Sequence, residues 1–357
     1  MNAFVRLRSV TVTIFCLSLG PASVFAQTAV PAPATMPTDP AAFIAAAAPL
    51  NGLDDPGMKP WHIKVSYQTF DDQGKPGYTG TFEEWWASPT KSKRVYTSAQ
   101  FNQTTYVTDT GTYRIGDQYG PAVAESLVRQ KLVSPMPGES DSEGATLKRV
   151  NDPFSKAKLT CFEYAHDIKH QLGESPVGLY PLYCFDPQQP MLRFSGSFGL
   201  FNTIYEKVGS LDHHFIGIDT TISDKGKPFV NAHLVEGNLL SALDESVFAP
   251  PAEATKLPEG GKAKIEGGLI AGHKLGGSNP TYPSAAKAAR IEGKVILSAV
   301  IGEDGHIHQM RVKSAPDTSL AISALAAVRD WTYQPYKLNG LPVEVETTLT
   351  VIYRLGG

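Results

Sequence analysis

Val343 to Leu355 alternates without a break. Val343, Val345, Thr347, Leu349, Val351, Tyr353 and Leu355 fall on one face, and Glu344, Glu346, Thr348, Thr350, Ile352 and Arg354 on the other. A period of two over this length specifies a β-strand with one buried face. Such a strand needs hydrogen-bonding partners, and the residues before it supply them. Lys294 to Ile301 alternates in the same way, Gly302-Glu303-Asp304-Gly305 turns the chain, and His306 to Lys313 returns as a second strand. Pro316-Asp317-Thr318-Ser319 opens a helix whose buried stripe is Leu320, Ala324, Leu325, Ala327, Val328 and Trp331. Pro335 stops it, and Asn339-Gly340 marks a turn that needs positive φ. The predicted unit is a small sheet covered on one face by helices. Its last strand is longer than its partners, so part of it is expected as an open edge. An open edge presents unpaired N–H and C=O groups, which natural sheets protect with charge. Glu344, Glu346 and Arg354 provide some, but Thr347 to Tyr353 carries none. Addition of an extended peptide strand is the activity such an edge suits.

The pieces also occur in a family order. Tyr282-Pro283, Arg290-Ile291-Glu292-Gly293-Lys294-Val295, Asp304-Gly305, Ala327-Val328-Arg329-Asp330-Trp331-Thr332-Tyr333-Gln334-Pro335 and the closing strand together resemble the TonB C-terminal domain over about residues 268–357. Each piece is weak alone; the ordered set is specific. The resemblance implies a periplasmic domain that binds the TonB box of outer-membrane TonB-dependent transporters by strand addition, in support of transmembrane transport. On this sequence the partner-binding residues implied are Val345, Glu346, Thr347, Thr348, Leu349, Thr350, Val351, Ile352 and Tyr353.

Residues 58–248 read as antiparallel β-structure. Trp61, Ile63, Val65, Tyr67 and Thr69 share one face of a first strand, and Tyr78 to Ala87 returns with the Trp85-Trp86 pair. Strands follow at 93–99, 103–108 and 111–116, then a helix over Pro121 to Val133 with Val123, Leu127, Val128 and Leu132 at helical spacing. Six further strand patterns run from Leu159 to Leu239. This order resembles the half-barrel of LolA/LolB-like periplasmic carriers. That resemblance implies an apolar concave face for an acyl chain or a peptide; aromatics filling a packed core are the competing reading. The fold class expected for the chain is α+β, an antiparallel half-barrel with one helix followed by an αββαβ unit. Residues 249–267 are a linker by composition, and residues 27–57 an Ala/Pro-rich tether in which Asp39 caps a short helix starting at Pro40.

Residues 1–26 read as a signal peptide: Arg6 and Arg8, an apolar run from Val10 to Leu19, and small residues at Val24 and Ala26 before cleavage ahead of Gln27. The expected location is the periplasm. An uncleaved start would instead anchor the chain in the inner membrane, facing the periplasm. Cleavage and the absence of a long proline-rich spacer argue against an inner-membrane motor complex as a partner. In an oxidising compartment, Cys161 and Cys184 are expected to form a disulfide worth roughly 3 kcal/mol. The net charge of −3 argues against nucleic acid.

No catalytic constellation, phosphate loop or metal pattern emerges, so no cofactor, metal site or enzymatic activity is expected. His306 and His308 read as solvated strand histidines, and Glu83-Glu84 as solvated carboxylates. Two functions remain: docking of an outer-membrane transporter or other envelope protein, and a lipid or lipoprotein carrier or sensor that the C-terminal unit only localises.

Overall fold

The computed structural model describes residues 35–138, 142–153, 158–166, 168–172, 175–177, 179–197, 201–259, 262–265 and 273–356. The signal-peptide residues, with Ala26 and Gln27, lie outside these. Thirteen strands form one antiparallel sheet. Its first part is β1 (Trp61–Phe70), β2 (Pro76–Ser88), β3 (Lys91–Ser98), β4 (Asn102–Thr108) and β5 (Gly111–Gly116). Its second part is β6 (Thr146–Val150), β7 (Thr160–Ala165), β9 (Leu182–Phe185), β10 (Leu192–Ser197), β11 (Phe201–Leu211), β12 (His214–Asp224) and β13 (Lys227–Leu239). β1 pairs with β13 and closes the two runs into one sheet. The remaining strand of the sheet, β14 (Thr255–Lys256), pairs with β5.

The expected alternation holds in β1, where every second residue from Trp61 to Thr69 is buried. Trp61 stacks on Trp86 at 5.9 Å and donates its indole N–H to the Leu53 carbonyl. Helix α1 (Pro40–Ala47) starts as read from the sequence, with Asp39 accepting from the Ala42 N–H at 2.8 Å. Its Phe43 packs on Phe162 and Phe185. Cys161 and Cys184 are register partners on β7 and β9 and are joined by a disulfide.

Helix α2 (Val123–Val133) lies against the face of the large sheet that carries Tyr67 and Glu84. Tyr67 and Tyr78 both donate to Glu125, and Arg129 forks onto Glu84. One further turn, α3, covers Glu245–Phe248.

The small sheet has the order β15-β22-β17-β18-β8. It comprises β17 (Gly293–Ile301), β18 (Ile307–Asp317) and β22 (Glu344–Tyr353), flanked by β15 (Lys262–Lys264) and β8 (Ile168–His170). Helix α4 (Ser284–Ala288) precedes it, and α5 (Thr318–Val328), capped by Asp317, packs on it. The short strands β16 (Lys274–Gly276) and β19 (Thr332–Tyr333) pair with each other, as do β20 (Lys337–Leu338) and β21 (Leu341–Pro342).

Expected strand, strand, helix and strand are all present, so the α+β class stands. The stretch expected as a linker carries two edge strands: β14 extends the large sheet and β15 the small one. β8 also reaches from among the large sheet's strands to pair in parallel with β18. A continuous apolar core runs from Trp61, Phe82 and Leu127 to Leu297, Leu320 and Leu325.

Candidate functional site

The residues that frame β22 lock one another. Gly305 has φ +79°, and a Cβ there would collide with the Tyr333 carbonyl oxygen. Tyr333 in turn donates its N–H to the Gly305 carbonyl at 2.8 Å. The Asp304-Gly305 turn and the Trp331-x-Tyr333 segment are therefore one packed unit. Trp331 donates to the Ser278 carbonyl and lies under the Lys274 ammonium at 3.6 Å. Gly293 has φ +142°, and its missing side chain makes room for Pro316. Tyr282 donates to the Ile291 carbonyl at 2.6 Å and meets Tyr353 edge-on at 5.4 Å. The Glu292 carboxylate accepts from the Leu355 N–H and ties down the end of β22.

Within β22, Val345, Thr347, Leu349, Val351 and Tyr353 are buried, while Thr348, Thr350 and Ile352 are exposed. On its inner side β22 pairs with β17 along the whole run from Val345 to Tyr353. On its outer side the expectation of an open edge holds only in part. β15 pairs in parallel with Glu344, Val345 and Glu346, and Ile265 donates its N–H to the Glu346 carbonyl at 3.1 Å. The Ile265 carbonyl then accepts from the Thr347 hydroxyl at 2.7 Å. Among the described residues no strand covers the outer side of Thr348 to Tyr353. Among the described residues the edge is uncovered there because of its place in the sheet. It is not free through excess length, since β22 has 10 residues against 9 in β17 and 11 in β18.

The direction of the free groups follows from the same bond. A strand residue's N–H and C=O point to one side, alternating along the chain. The Glu346 carbonyl points outward to Ile265, so Thr348, Thr350 and Ile352 also present their amides outward. Their side chains carry no charge.

A second feature lies between the two sheets. Register pairs place Glu84 on β2, Arg94 on β3, Thr105 on β4 and Arg114 on β5 in one transverse row. Arg94, Thr105 and Arg114 line a cavity of about 620 Å³ whose other walls include Arg129 from α2 and Met310 from β18. The Glu84 side chain is fully buried and serves two guanidiniums. Arg129 takes both oxygens, at 3.0 and 3.1 Å, and Arg94 is left at 3.5 Å. Burial and the Arg129 charge push the Arg94 guanidinium below its ordinary value. Burial acts against Arg129 as well, but Glu84 outweighs it and raises that group. Arg114 forks onto Glu303 of the small-sheet hairpin at 2.5 and 2.9 Å.

This overturns two expectations. Glu84 is a buried ion-pair partner, not a solvated carboxylate, and the cavity is lined by charges of both signs, arginines together with Glu303, Glu344 and Glu346, where an apolar face was implied. The signal was in the sequence: Glu84 shares the buried phase of Phe82 and Trp86, and Arg94 that of Ser92 and Tyr96.

His308 also departs from the solvated reading. It is 8% exposed, with Nε2 at 2.9 Å from Asp304 and Nδ1 at 3.2 Å from Ser126 of α2. The Ser126 hydroxyl donates to the Pro121 carbonyl, so its proton is engaged and the series pins α2 to the small-sheet hairpin. His306 is exposed, as expected, and lies 3.4 Å from Asp304. Burial would raise the Asp304 carboxyl, but hydrogen bonds from His306 and His308 hold it well below the usual carboxylate range. The hydrogen bond to Asp304 raises the His306 imidazole.

A pH dependence follows. Asp304's contribution is present above its unfolded pKa of about 3.9 and is lost as pH falls through the lower folded value. His306's contribution is complete below its unfolded pKa of about 6.5 and is lost as pH rises through the raised folded value. The difference in Tm between the wild type and Asp304→Asn is expected to be largest near pH 5 and smaller at pH 3 and pH 9. A difference that does not vary with pH would remove the ion pair from the account.

Fold and site define a small α/β sheet unit, packed on a large antiparallel sheet, that presents part of one edge strand. Residues 278–355 match the family model for the Gram-negative bacterial TonB protein C-terminal. Over 79 residues the chain is 32% identical to Protein TonB from Vibrio cholerae serotype O1, covering 22% of this chain and 32% of that protein. Over 79 residues it is 35% identical to Protein TonB from Klebsiella pneumoniae, covering 22% and 30%. The match thus spans about a third of the length of these curated relatives. Among solved structures, a LolA superfamily protein from Nitrosomonas europaea aligns with TM-score 0.39 and 9% identity over 58% of this chain and 96% of that one. A DUF1329 family protein from Desulfovibrio piger aligns with TM-score 0.39 and 10% identity, over 59% and 98%. Scores of that size carry no argument about fold or function. No described helix is long and apolar enough to cross a membrane.

Proposed function

We propose that residues 268–357 form a TonB-like binding domain that docks an envelope partner in the periplasm by accepting an extended strand on β22. The partner class is the outer-membrane TonB-dependent transporter. The observation that carries the reading is the outer side of Thr348 to Tyr353, which no strand among the described residues covers, with the outward amides of Thr348, Thr350 and Ile352. We read the large sheet, residues 58–248, as a half-barrel that positions this domain. A carrier of acyl chains is the weaker reading, because the lined cavity presents guanidiniums where an acyl chain needs hydrocarbon.

A handful of edge hydrogen bonds, each worth about 0.5–1.5 kcal/mol, must also offset the ordering of the peptide. Affinity on the order of micromolar is expected. Titration of a peptide from the extended periplasmic segment of such a transporter into the full chain, read by calorimetry, should show saturable binding of one peptide. No saturable heat with peptides from several transporters would sink the reading.

A further inference from the structure

We propose that the cavity between the two sheets is a binding site for a phosphate-type anionic group, held between Arg94 and Arg114 over the floor of Thr105. The start of β22, Glu344 and Glu346, forms part of the cavity wall, while the edge from Thr348 to Tyr353 lies outside its lining, so the site does not depend on strand addition there.

The placement begins with register. Arg94 and Arg114 sit on strands either side of Thr105, two inter-strand spacings or about 9–10 Å apart. That gap accepts one tetrahedral oxyanion. Five cationic side chains line the cavity against three carboxylates, Glu303, Glu344 and Glu346. Glu84 is one carboxylate shared by two guanidiniums, and its fork is taken by Arg129, so the Arg94 charge is incompletely compensated. The Arg114 side chain is 8% exposed, and its Nε is buried without a hydrogen-bond partner while its two terminal nitrogens hold Glu303. A planar guanidinium can match phosphate geometry with two parallel donors, which falls to Arg94 here, while Arg114 offers its Nε. Tyr96, Leu179 and Met310 add apolar wall to the same cavity. Such walls limit water and strengthen a charge contact.

The anion can be free or carried on a lipid headgroup, and the test separates the two. Full-length wild type is titrated by calorimetry with inorganic phosphate and, in parallel, with dihexanoyl phosphatidic acid. Saturable binding of phosphate assigns a free anion; binding of the phosphatidic acid alone assigns a headgroup. Either supports the site, provided that Arg94→Gln weakens it by about tenfold to a hundredfold, the size of a hydrogen bond to a charged group. Arg94→Gln leaves the Arg129–Glu84 fork intact. Thr105→Phe, at a residue that belongs to neither ion pair, fills the floor between the arginines and should abolish binding. Arg94→Lys, which keeps the charge without the fork, should give intermediate affinity. The proposal is overturned if neither ligand binds the wild type, or if either Arg94→Gln or Thr105→Phe binds as the wild type does.

Discussion

Glu84→Ala is expected to lower the unfolding free energy by about 3–5 kcal/mol, the usual cost of removing one member of a buried ion pair. The Glu84 side chain has no exposed area, and its two oxygens hold Arg129 while the nearer one also faces Arg94. Alanine leaves a guanidinium pair facing each other across a vacated site, with their mutual repulsion unopposed. Glu84→Gln keeps the shape but loses the charge and should fall between alanine and wild type. The neighbouring Glu83 is the internal control. It points to the other face, bonds His62 at 2.8 Å and Lys64 at 3.7 Å, and is part-exposed. Glu83→Ala should cost about 1 kcal/mol or less. Urea denaturation of the three variants and the wild type reads these differences directly. Equal losses for Glu83→Ala and Glu84→Ala would show that Glu84 does not organise the row of charges.

The contrast between those two adjacent glutamates shows where the sequence was legible. Strand phase was clear wherever apolar residues marked it: the alternation in β1 and β22 gave the buried faces residue by residue. The αββαβ order and the turn at Asp304-Gly305 were equally readable, because local propensity and tertiary packing agree there. Glu84 was misread because hydropathy alone treats a charge as solvent-facing, although it lies in phase with buried Phe82 and Trp86. Its partners, Arg129 of α2 and Arg94 of β3, come from other elements, and only tertiary structure brings them together. The short strands β8, β14 and β15 could not be read either. Runs of two or three residues carry no measurable period. β15 matters most, since it covers the start of the strand that the sequence offered as a partly open edge.

Proline placed at two adjacent positions of β22 separates the edge from the core. Thr350 presents its N–H outward, in phase with Glu346, whose carbonyl already accepts from Ile265. Val351 faces inward, opposite Val295 of β17, and is buried. Proline lacks the N–H and is tolerated in a sheet only where that N–H is free. Val351→Pro therefore strands a β17 carbonyl, at about 1–3 kcal/mol for that group alone, and also breaks the packing of a buried valine. Its melting temperature should fall sharply. Thr350→Pro should retain the wild-type fold and a Tm close to the wild type. Yet it removes a donor from the centre of the free edge and sets a ring against an incoming strand, so peptide affinity should drop at least about tenfold. The two substitutions thus predict opposite patterns, one losing stability and the other losing binding. A Thr350→Pro protein that folds and still binds peptide with wild-type affinity would move the binding site away from β22, because no other register of an added strand avoids position 350 while using Thr348 and Ile352 together.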